Sequence, residues 1–315
     1  MKKPNPFPFS DNNKRYYSFD YYLRTKYGSK CAKVPLDAGF SCPNRDGSKG
    51  VGGCTFCSSR GSGDFCAEAS LSLKDQFEKT REVYSKKWGN VLYIPYFQAH
   101  TNTYGSVEKI KNMLDAALSF ENTVGIALAT RADCLSDEVV DLLCQYNKKT
   151  DLTVELGLQT VHDKTAEKIN RCHTYEEFLK GYNKLTGIDT CVHIIDGLPG
   201  ETPEMMLETA SELARIKPKF VKFHLLHIID GTPISKDYLD GKFPVLSREE
   251  YVDIVVSQLE ILPEDTVIER LTGDGAEKDL IAPLWSKKKL VVMNEIDKEF
   301  VRRNSMQGAK YPKQK

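Results

Sequence analysis

The sequence lacks any long apolar run, and this absence excludes a membrane-spanning helix. No stretch of its 315 residues approaches the ~18 consecutive apolar residues that such a helix requires. The first residues, Met-Lys-Lys-Pro-Asn-Pro-Phe-Pro, carry charge but no apolar segment, which is unlike a secretory signal. We therefore expect a cytoplasmic protein without a membrane partner.

The chain also lacks net charge, because its 44 lysines and arginines balance 44 acidic residues. The balance conceals two basic ends: residues 1–33 contain eight basic and two acidic residues, and residues 285–315 contain nine and three. Each end therefore carries +6, and the middle of the chain carries −12. Basic termini of this kind can contact nucleic acid. A pair of solvated, frayed ends would give the same pattern.

No Gly-x-Gly-x-x-Gly motif follows the first predicted strand, which disfavours an open nucleotide-binding sheet. Short apolar runs instead alternate with amphipathic segments. The apolar runs are bounded by turn residues and predict buried strands at residues 33–40, 91–97, 124–130, 153–159, 190–196 and 220–226. The amphipathic segments predict helices at residues 14–27, 70–87, 106–119, 136–147, 163–185 and 202–215.

Strands that alternate with helices form parallel sheets with right-handed crossovers. We therefore predict an α/β fold, a partial (β/α)6 barrel over residues 30–234, which follows an N-terminal extension of residues 1–29. Residues 235–315 break the alternation and predict a small C-terminal α/β module with a strand at 267–271 and a basic tail. Polar residues cluster just after the predicted strand ends, where parallel barrels carry their sites.

The chain has nine cysteines and no secretion signal, so free thiols or metal ligands are expected rather than disulfides. Cys42, Cys54 and Cys57 lie in a glycine-rich segment after the first strand, with the spacing C-x11-C-x2-C. Thiolates are soft ligands that suit zinc or iron–sulfur clusters. Cys66 would complete the four ligands of a structural zinc site, so the spacing alone leaves that alternative open.

Three features favour an iron–sulfur cluster with one open iron. The cysteines lie at the end of the first barrel strand, and Phe56 precedes the last cysteine with a ring that can pack on a ligand. Four glycines between Cys42 and Cys57 let the backbone approach closely. On this interpretation Cys42, Cys54 and Cys57 bind the cluster, and Cys66 does not.

Several local stretches resemble the radical S-adenosylmethionine (SAM) superfamily, and the resemblance extends over roughly residues 15–308. The most specific stretches are residues 42–47, 96–104, 155–160, 197–202 and 270–274. The long gap between the first two cysteines resembles the branch that contains the catalytic subunit of Elongator. It resembles the YhcC/YtqA-type proteins more closely. Cys172 departs from this subgroup, which typically has glycine at that position.

The resemblance implies a partial barrel with two cofactors, a [4Fe–4S] cluster and SAM. The three cysteines would hold the cluster, and the fourth iron would bind the methionine amine and carboxylate of SAM. An electron donor such as flavodoxin or ferredoxin would reduce the cluster, which would cleave SAM to methionine and a 5′-deoxyadenosyl radical. The candidates for cofactor binding are Phe56, Gln98, Thr101, Asn102, Arg131, Glu155, Gln159, Gly197 and Pro199.

Most of these candidates also have a plain structural interpretation. The loop that begins at Gln98 can be a polar turn, and Arg131 can form an ion pair instead of binding a carboxylate. Glu155 lies in an apolar strand, where a carboxylate requires a partner. Lys222 and His224 share one face of the sixth strand and are the substrate candidates, although a lone strand histidine is more often a core residue.

The resemblance further implies a substrate, a modified wobble uridine of tRNA. Some proteins of the subgroup trim the carboxymethylaminomethyl group at C5 of that uridine to aminomethyl. The basic ends fit a tRNA partner. Two alternatives stay open: a radical SAM enzyme that acts on a small molecule or a protein, and a metal-stabilised binding module without chemistry.

Overall fold

The computed structural model describes residues 5–61, 63, 66–273 and 278–312. Parts of the stretches named above lie outside these ranges. They are residues 1–4 of the basic N-terminal end, residue 274 at the end of the last resembling stretch, and residues 313–315 of the basic tail.

Seven parallel strands form the main sheet, in the order β1-β2-β3-β4-β5-β6-β8. Their bounds are β1 Cys31–Leu36, β2 Leu92–Phe97, β3 Gly125–Thr130, β4 Asp151–Gln159, β5 Asp189–Asp196, β6 Phe220–Leu225 and β8 Val267–Arg270. A separate antiparallel pair contains β7 Ile228–Ile229 and β9 Leu280–Ala282. The predicted α/β partial barrel is confirmed, and each of the six predicted strands is present.

The sheet has one more strand than the sequence pattern predicted. Residues 267–271 were assigned to a separate module, but β8 pairs in parallel with β6, with Phe220 opposite Val267 and Lys222 opposite Arg270. A short strand and a helix, residues 228–229 and 233–239, interrupt the chain between β6 and the next long helix. Because of this insertion, the alternation of strands and helices cannot be recognised in the sequence after β6. The predicted domain boundaries themselves stay a prediction.

Ten α-helices are present among the described residues, and most begin at a serine or threonine that accepts a backbone hydrogen bond. Their bounds are α1 Phe19–Tyr27, α2 Leu73–Trp88, α3 Val107–Leu118, α4 Asp137–Asn147, α5 Asp163–Lys168, α6 Tyr175–Lys184, α7 Pro203–Ile216, α8 Pro233–Leu239, α9 Arg248–Ile261 and α10 Lys289–Arg302. None of them is long and apolar enough to cross a membrane.

The helix predicted over residues 163–185 is wrong, because the structure has two helices there, α5 and α6. Asn170 and Cys172, between them, have φ angles of 54° and 59°. This left-handed conformation cannot continue a right-handed helix. The break is important for the candidate site, since its polar side chains contact the cysteine segment.

The chain divides into two compact units. Unit A contains residues 23–157 and 170–191, and unit B contains residues 1–22, 158–169 and 192–315. In unit A the core includes Leu36, Phe97 and Leu128 on neighbouring strands, all fully buried. In unit B it includes Phe223 on β6 and Phe300 on α10.

In unit A, one glycine lets α6 lie directly against the chain that follows β3. A Cβ atom at Gly181 would lie 2.0 Å from the carbonyl oxygen of Ala132, and no side chain can be accommodated at that distance. The intrinsic preference of a helix for alanine over glycine, about 1 kcal/mol, is therefore overridden here. The close approach holds Arg131 and Asp133, which flank Ala132, at the base of the cysteine segment.

In unit B, the basic C-terminal residues are engaged by acidic residues of the same unit. Arg303 pairs with Asp253 at 2.5 Å and with Glu299 at 2.7 Å, and Lys310 pairs with Glu260 at 2.5 Å. Gln307 is 1% exposed and donates to the carbonyl oxygens of residues 263 and 266. The described C-terminal residues are therefore packed against the rest of unit B, and ion pairs within the chain neutralise part of their charge.

Candidate active site

The cysteine segment follows β1 in unit A and contains Cys42, Cys54 and Cys57. All three have free, partly buried thiols. The backbone N–H of Cys57 donates to the carbonyl oxygen of Cys54 at 3.0 Å, so the Cys-x-x-Cys pair forms the tight turn that its spacing predicts. The carbonyl oxygen of Cys42 accepts from the N–H of Arg45 at 2.8 Å, which closes a second turn at the start of the segment.

The thiols of Cys54 and Cys57 lie close enough to perturb each other's ionisation. A hydrogen bond from Cys57 lowers the pKa of Cys54 against the effect of burial, and the charge of Arg131 acts in the same direction. The pKa of Cys57 is raised by that same bond, by burial and by the charges of Cys54 and Cys42. Such a set of soft donors, with one thiol biased towards the thiolate, fits the ligand set of an iron–sulfur centre.

Asn44 and Asn170 join the cysteine segment to the break between α5 and α6. The fully buried Asn44 donates from Nδ2 to Sγ of Cys54 at 3.5 Å and also to the carbonyl oxygen of Asn170. Asn170 in turn donates from Nδ2 to the carbonyl oxygen of Gly53 at 2.7 Å. Neither residue was predicted as a site residue. The polar run at residues 170–174, inside an otherwise helical pattern, is the signal that could have located this contact.

Cys172, at which the sequence departs from the expected subgroup pattern, has a φ angle of 59°, a conformation that favours glycine. Its Sγ atom lies against the backbone of Gly50, where an added Cβ would be 2.7 Å from the sulfur. The same Cβ would be 2.1 Å from Oδ1 of Asn44, so a larger residue at position 50 would displace the side chains of Asn44 and Cys172.

A buried ion pair joins the segment to the end of β3. The guanidinium of Arg131 makes two 2.9 Å hydrogen bonds to Asp133, and Nη1 donates to the carbonyl oxygen of Arg171 at 2.8 Å. Nζ of Lys49, in the cysteine segment, lies 2.7 Å from Oδ2 of Asp133, which also accepts from Nη2 of Arg131. Although burial opposes it, the hydrogen bonds and charge of Arg131 lower the pKa of Asp133 to about 2.

This arrangement bears on the role predicted for Arg131. Each guanidinium nitrogen already donates to Asp133 or to a carbonyl oxygen, and the residue is 8% exposed. The ion-pair interpretation from the sequence therefore describes the observed geometry, with the pair buried instead of at the surface. Binding of a cofactor carboxylate by Arg131 stays a prediction.

The loop after β2 carries the candidates Gln98, Thr101 and Asn102. Asn102 is fully buried and donates from Nδ2 to the carbonyl oxygens of Phe97, Ala99 and Ala129, at 3.0, 3.1 and 2.9 Å. The N–H of Thr101 donates to the carbonyl oxygen at position 41 at 3.2 Å. These hydrogen bonds hold the loop beside Cys42, and the side-chain amide of Asn102 bonds to the backbone.

Glu155 on β4 is 1% exposed, as its place in an apolar strand predicts. Its Oε1 lies 2.5 Å from Nζ of Lys33 on β1, and Lys33 also lies over the ring of Tyr96, 5.1 Å from its centroid. The partner that the sequence analysis required is therefore a lysine of the same unit. Lys33 was missed because a strand pattern does not show which residues face each other across the sheet.

Unit B contains the candidates Gln159, Gly197, Pro199, Lys222 and His224. Gly197 and Gly200 have φ angles of 85° and 84°, so the chain turns tightly after β5. Gln159, at the end of β4, has a φ angle of 61°. Lys222 on β6 lies 3.3 Å from Glu269 on β8. Pro199 follows the first of these glycines, and its predicted contact with a cofactor stays a prediction.

Asp196, at the end of β5, is a buried carboxyl group that was not among the predicted cofactor or substrate residues. It is 1% exposed, and Oδ1 accepts from Nε2 of Gln258 at 2.7 Å, whereas Oδ2 has no hydrogen-bond partner among the described residues. Burial raises the pKa of Asp196 to about 7, although the bond from Gln258 opposes the shift. A carboxyl group with this pKa is largely protonated in slightly acidic solution.

We predict that Asp196→Asn makes the protein's stability less sensitive to pH. Because the pKa of Asp196 is raised by folding, the folded state holds the extra proton between the ordinary pKa and about 7. The contribution of protonated Asp196 to the free energy of unfolding is therefore fully present below the ordinary pKa. It is lost as pH rises through about 7, by at most roughly 1.4 kcal/mol per pH unit. Melting temperatures of both proteins from pH 5 to pH 8 measure the effect, and parallel curves would contradict it.

Comparison with known proteins places the chain in a family. The Radical SAM superfamily matches residues 45–213, and the Radical_SAM C-terminal domain matches residues 218–302. The first match includes Cys54 and Cys57 and begins after Cys42. Protein YtqA of Bacillus subtilis is 47% identical over 310 residues, which cover 98% of this chain and 96% of YtqA.

Two further similarities are partial or structural. The tRNA uridine(34) acetyltransferase of Methanocaldococcus jannaschii is 28% identical over 156 residues, which cover 48% of this chain and 28% of that protein. The solved structure of N-terminally truncated Elp3 from Methanocaldococcus infernus has a TM-score of 0.65 at 19% identity. That alignment covers 89% of this chain and 64% of Elp3 and is a likeness of fold.

The superfamily match covers more than half of the chain, and YtqA is a near-full-length relative. The subgroup and the fold inferred from the sequence agree with both findings. The chain therefore belongs to the radical SAM superfamily, as a YhcC/YtqA-type enzyme related to the Elongator catalytic core.

Proposed function

We propose that Cys42, Cys54 and Cys57 bind a [4Fe–4S] cluster and that the enzyme modifies the wobble uridine of tRNA. The observation that carries the first part is the Cys54–Cys57 turn, in which the two thiols are hydrogen-bonded and Cys42 lies close enough to raise the pKa of Cys57. When bound and reduced, such a cluster supplies the electron that cleaves SAM to methionine and a 5′-deoxyadenosyl radical. A flavodoxin or ferredoxin is the kind of donor that this chemistry uses.

The surroundings of the cysteine segment support this assignment. Asn44 donates to Cys54, and the guanidinium of Arg131 adds positive charge that stabilises thiolates. The loop that contains Thr101 and Asn102 is hydrogen-bonded to the residue before Cys42, which supports SAM binding by this loop. The contributions proposed for Phe56, Gln98, Glu155, Gln159, Gly197 and Pro199 rest on the resemblance.

The tRNA substrate is supported by similarity. A partial relative is a tRNA uridine(34) acetyltransferase, and the structural neighbour is Elp3. The basic N-terminal region is consistent with RNA binding, although Lys14, Lys26 and Lys33 in it are in ion pairs within the chain. The C-terminal basic residues add less support than their number suggests, because Arg303 and Lys310 are in ion pairs within the chain.

We propose the trimming of a carboxymethylaminomethyl group at C5 of uridine to aminomethyl. The 5′-deoxyadenosyl radical would take a hydrogen atom from the CH2 beside the carboxylate. A one-electron acceptor, such as an oxidised [4Fe–4S] cluster, would take the remaining unpaired electron, and loss of the N–H proton to water would give an imine on the substrate. Water adds to the imine carbon, and the C–N bond breaks. The products are the primary amine on the nucleoside and glyoxylate, which carries both carbons of the acid.

We predict that loss of the gene changes wobble uridines and leaves other nucleosides unaltered. Carboxymethylaminomethyl-uridine should accumulate several-fold, and aminomethyl-type uridines should fall to near zero, as measured by mass spectrometry of digested tRNA. A gene copy with Cys66→Ala should restore the pattern, whereas a copy with Cys54→Ala should not. Unchanged wobble uridines would refute this substrate and leave a small molecule or a protein as the target.

A further inference from the structure

The side-chain amide of Asn44 lies between two acceptors in unit A. Asn44 is 0% exposed, and its Nδ2 atom donates to Sγ of Cys54 at 3.5 Å and to the carbonyl oxygen of Asn170. The second acceptor belongs to the break between α5 and α6, which lies outside the cysteine segment. One N–H is therefore anchored outside the segment, and this anchor aims the other N–H at the sulfur.

The acceptors around the amide set its orientation. A thiolate sulfur and a carbonyl oxygen both accept hydrogen bonds, so the amide must present its NH2 group to them. The flipped amide would place Oδ1 against both acceptors. In the observed orientation Oδ1 is buried and has no hydrogen-bond partner among the described residues. The fold therefore keeps both N–H groups on their acceptors even though the amide oxygen is left without a donor in this part of the chain.

The backbone around Asn44 keeps the amide from moving away from Cys54. The carbonyl oxygen of Asn44 accepts from the N–H of Gly53 at 2.8 Å, and Gly53 directly precedes Cys54. A Cβ atom at Gly50 would lie 2.1 Å from Oδ1 and 3.3 Å from Cγ of Asn44, so the backbone of Gly50 packs against the amide. Main-chain and side-chain contacts together hold the donor beside the sulfur.

The hydrogen bond from Asn44 persists when the cysteines become ligands. A cysteine that binds iron is a thiolate, so Cys57 then has no S–H proton to give to Cys54. The amide of Asn44 keeps its protons and remains a side-chain donor to Cys54. Hydrogen bonds to charged acceptors are stronger than those between neutral groups. Because reduction increases the negative charge on the sulfur ligands of a cluster, the bond stabilises the reduced state more than the oxidised state.

We propose that Asn44 is a positioning residue that makes the cluster easier to reduce. Hydrogen bonds to the sulfurs are among the features that set the reduction potential of an iron–sulfur cluster, and groups behind the ligands also orient them. The N–H···S bond from Asn44 shifts this potential to more positive values and fixes the side chain of Cys54. The proposal rests on the proposed cluster site and deepens it, because it concerns the reduction that starts the reaction.

The first test is the reduction potential of the reconstituted protein without SAM. Asn44→Leu keeps the branched shape of the side chain and removes both N–H donors. At the potential that half-reduces the wild-type cluster, we expect the ratio of reduced to oxidised cluster in this variant to fall roughly tenfold, which is about 59 mV for a one-electron couple. A redox titration followed by electron paramagnetic resonance (EPR) measures the ratio.

Asn170→Gly is the matched control. The φ angle of Asn170 is 54°, which glycine adopts readily, so the carbonyl oxygen that anchors Asn44 stays in place. The substitution removes the side-chain bond from Asn170 to the carbonyl oxygen of Gly53, at 2.7 Å, and so loosens the same segment without removing a donor to Cys54. We expect this variant to keep the wild-type potential. A purely structural role of Asn44 would shift the potential equally in both variants.

A spectroscopic signature detects the bond in the unaltered protein. Protein labelled with 15N in the side-chain amide of asparagine is reduced without SAM, and pulsed EPR detects 15N nuclei that are coupled to the cluster. We expect such a coupling in the wild type and in Asn170→Gly, and its loss in Asn44→Leu. If Asn44→Leu takes up no iron, the presence or absence of the coupling in the other two proteins decides the question.

Three results would overturn the proposal. They are no 15N coupling in the iron-loaded wild type, an unchanged potential in iron-loaded Asn44→Leu, or equal shifts of the potential in both variants. Failure of the proposed function gives a different result. A wild-type protein that binds no cluster refutes the cluster site and, with it, the role of Asn44. A cluster that binds and is reduced, but is coupled to no asparagine amide, refutes the role of Asn44 alone.

Discussion

Alanine at Cys42, Cys54 or Cys57 is expected to abolish binding of the cluster, whereas alanine at Cys66 is expected to leave it intact. Each of the three variants leaves two thiolates for a cluster that already has one iron without a cysteine ligand. Two thiolates do not hold such a cluster, so the loss of cluster binding should be nearly complete. Cys54 and Cys57 form one turn, and their ionisations depend on each other. Removing either therefore also changes the remaining thiol.

The measurement is iron and sulfide content after anaerobic reconstitution, together with the visible absorption of the cluster. SAM cleavage, assayed as 5′-deoxyadenosine after dithionite reduction, should follow the iron content. Cys144→Ala is a control for the loss of a cysteine, because Cys144 lies on α4. A Cys66→Ala protein that loses iron as completely as Cys54→Ala would refute the three-cysteine site. Four equal losses with stoichiometric zinc would support the structural zinc alternative.

Lys33→Met is expected to destabilise the protein by about 3–5 kcal/mol, the usual effect of breaking a buried ion pair. The side chain of Glu155 is 0% exposed, and Nζ of Lys33 lies 2.5 Å from it. Methionine keeps most of the apolar stem but removes the charge, and Glu155 then retains a buried negative charge without that compensation. Urea denaturation followed by circular dichroism measures the loss.

The double variant Lys33→Met, Glu155→Gln is the control for the charge effect. It should recover most of the lost stability, because neither side chain is then charged. Two additive losses would show that packing, and not the ion pair, is responsible. The double variant also tests the cofactor role predicted for Glu155: unaltered SAM binding in a stable double variant would exclude Glu155 as a SAM ligand.

Some features could be predicted because they are local. Strand and helix patterns depend on residues two to four positions apart, so the six predicted strands were found. The Cys54–Cys57 turn is set by its own spacing. The family resemblance was also carried by short contiguous stretches, and the comparisons bear it out.

Other features could not be predicted, because they depend on residues that are distant in sequence. Asn44 and Asn170 meet only because two residues with positive φ end α5 and turn the chain back to the cysteine segment. β8 pairs with β6 although an insertion between them in the sequence interrupts the alternation of strands and helices. The sequence pattern therefore did not predict this pair.

The sequence by itself determined the family, the first six strands of the sheet and the three candidate thiols, because short stretches of residues encode each of them. Only the tertiary structure decided the partners of the charged and polar candidates. It paired Arg131 with Asp133 and Glu155 with Lys33, and it left Nε2 of His224 without a partner among the described residues. The physical reason is that a buried charge must be compensated by whichever group the fold brings within a few ångströms, and sequence separation carries no information about that distance.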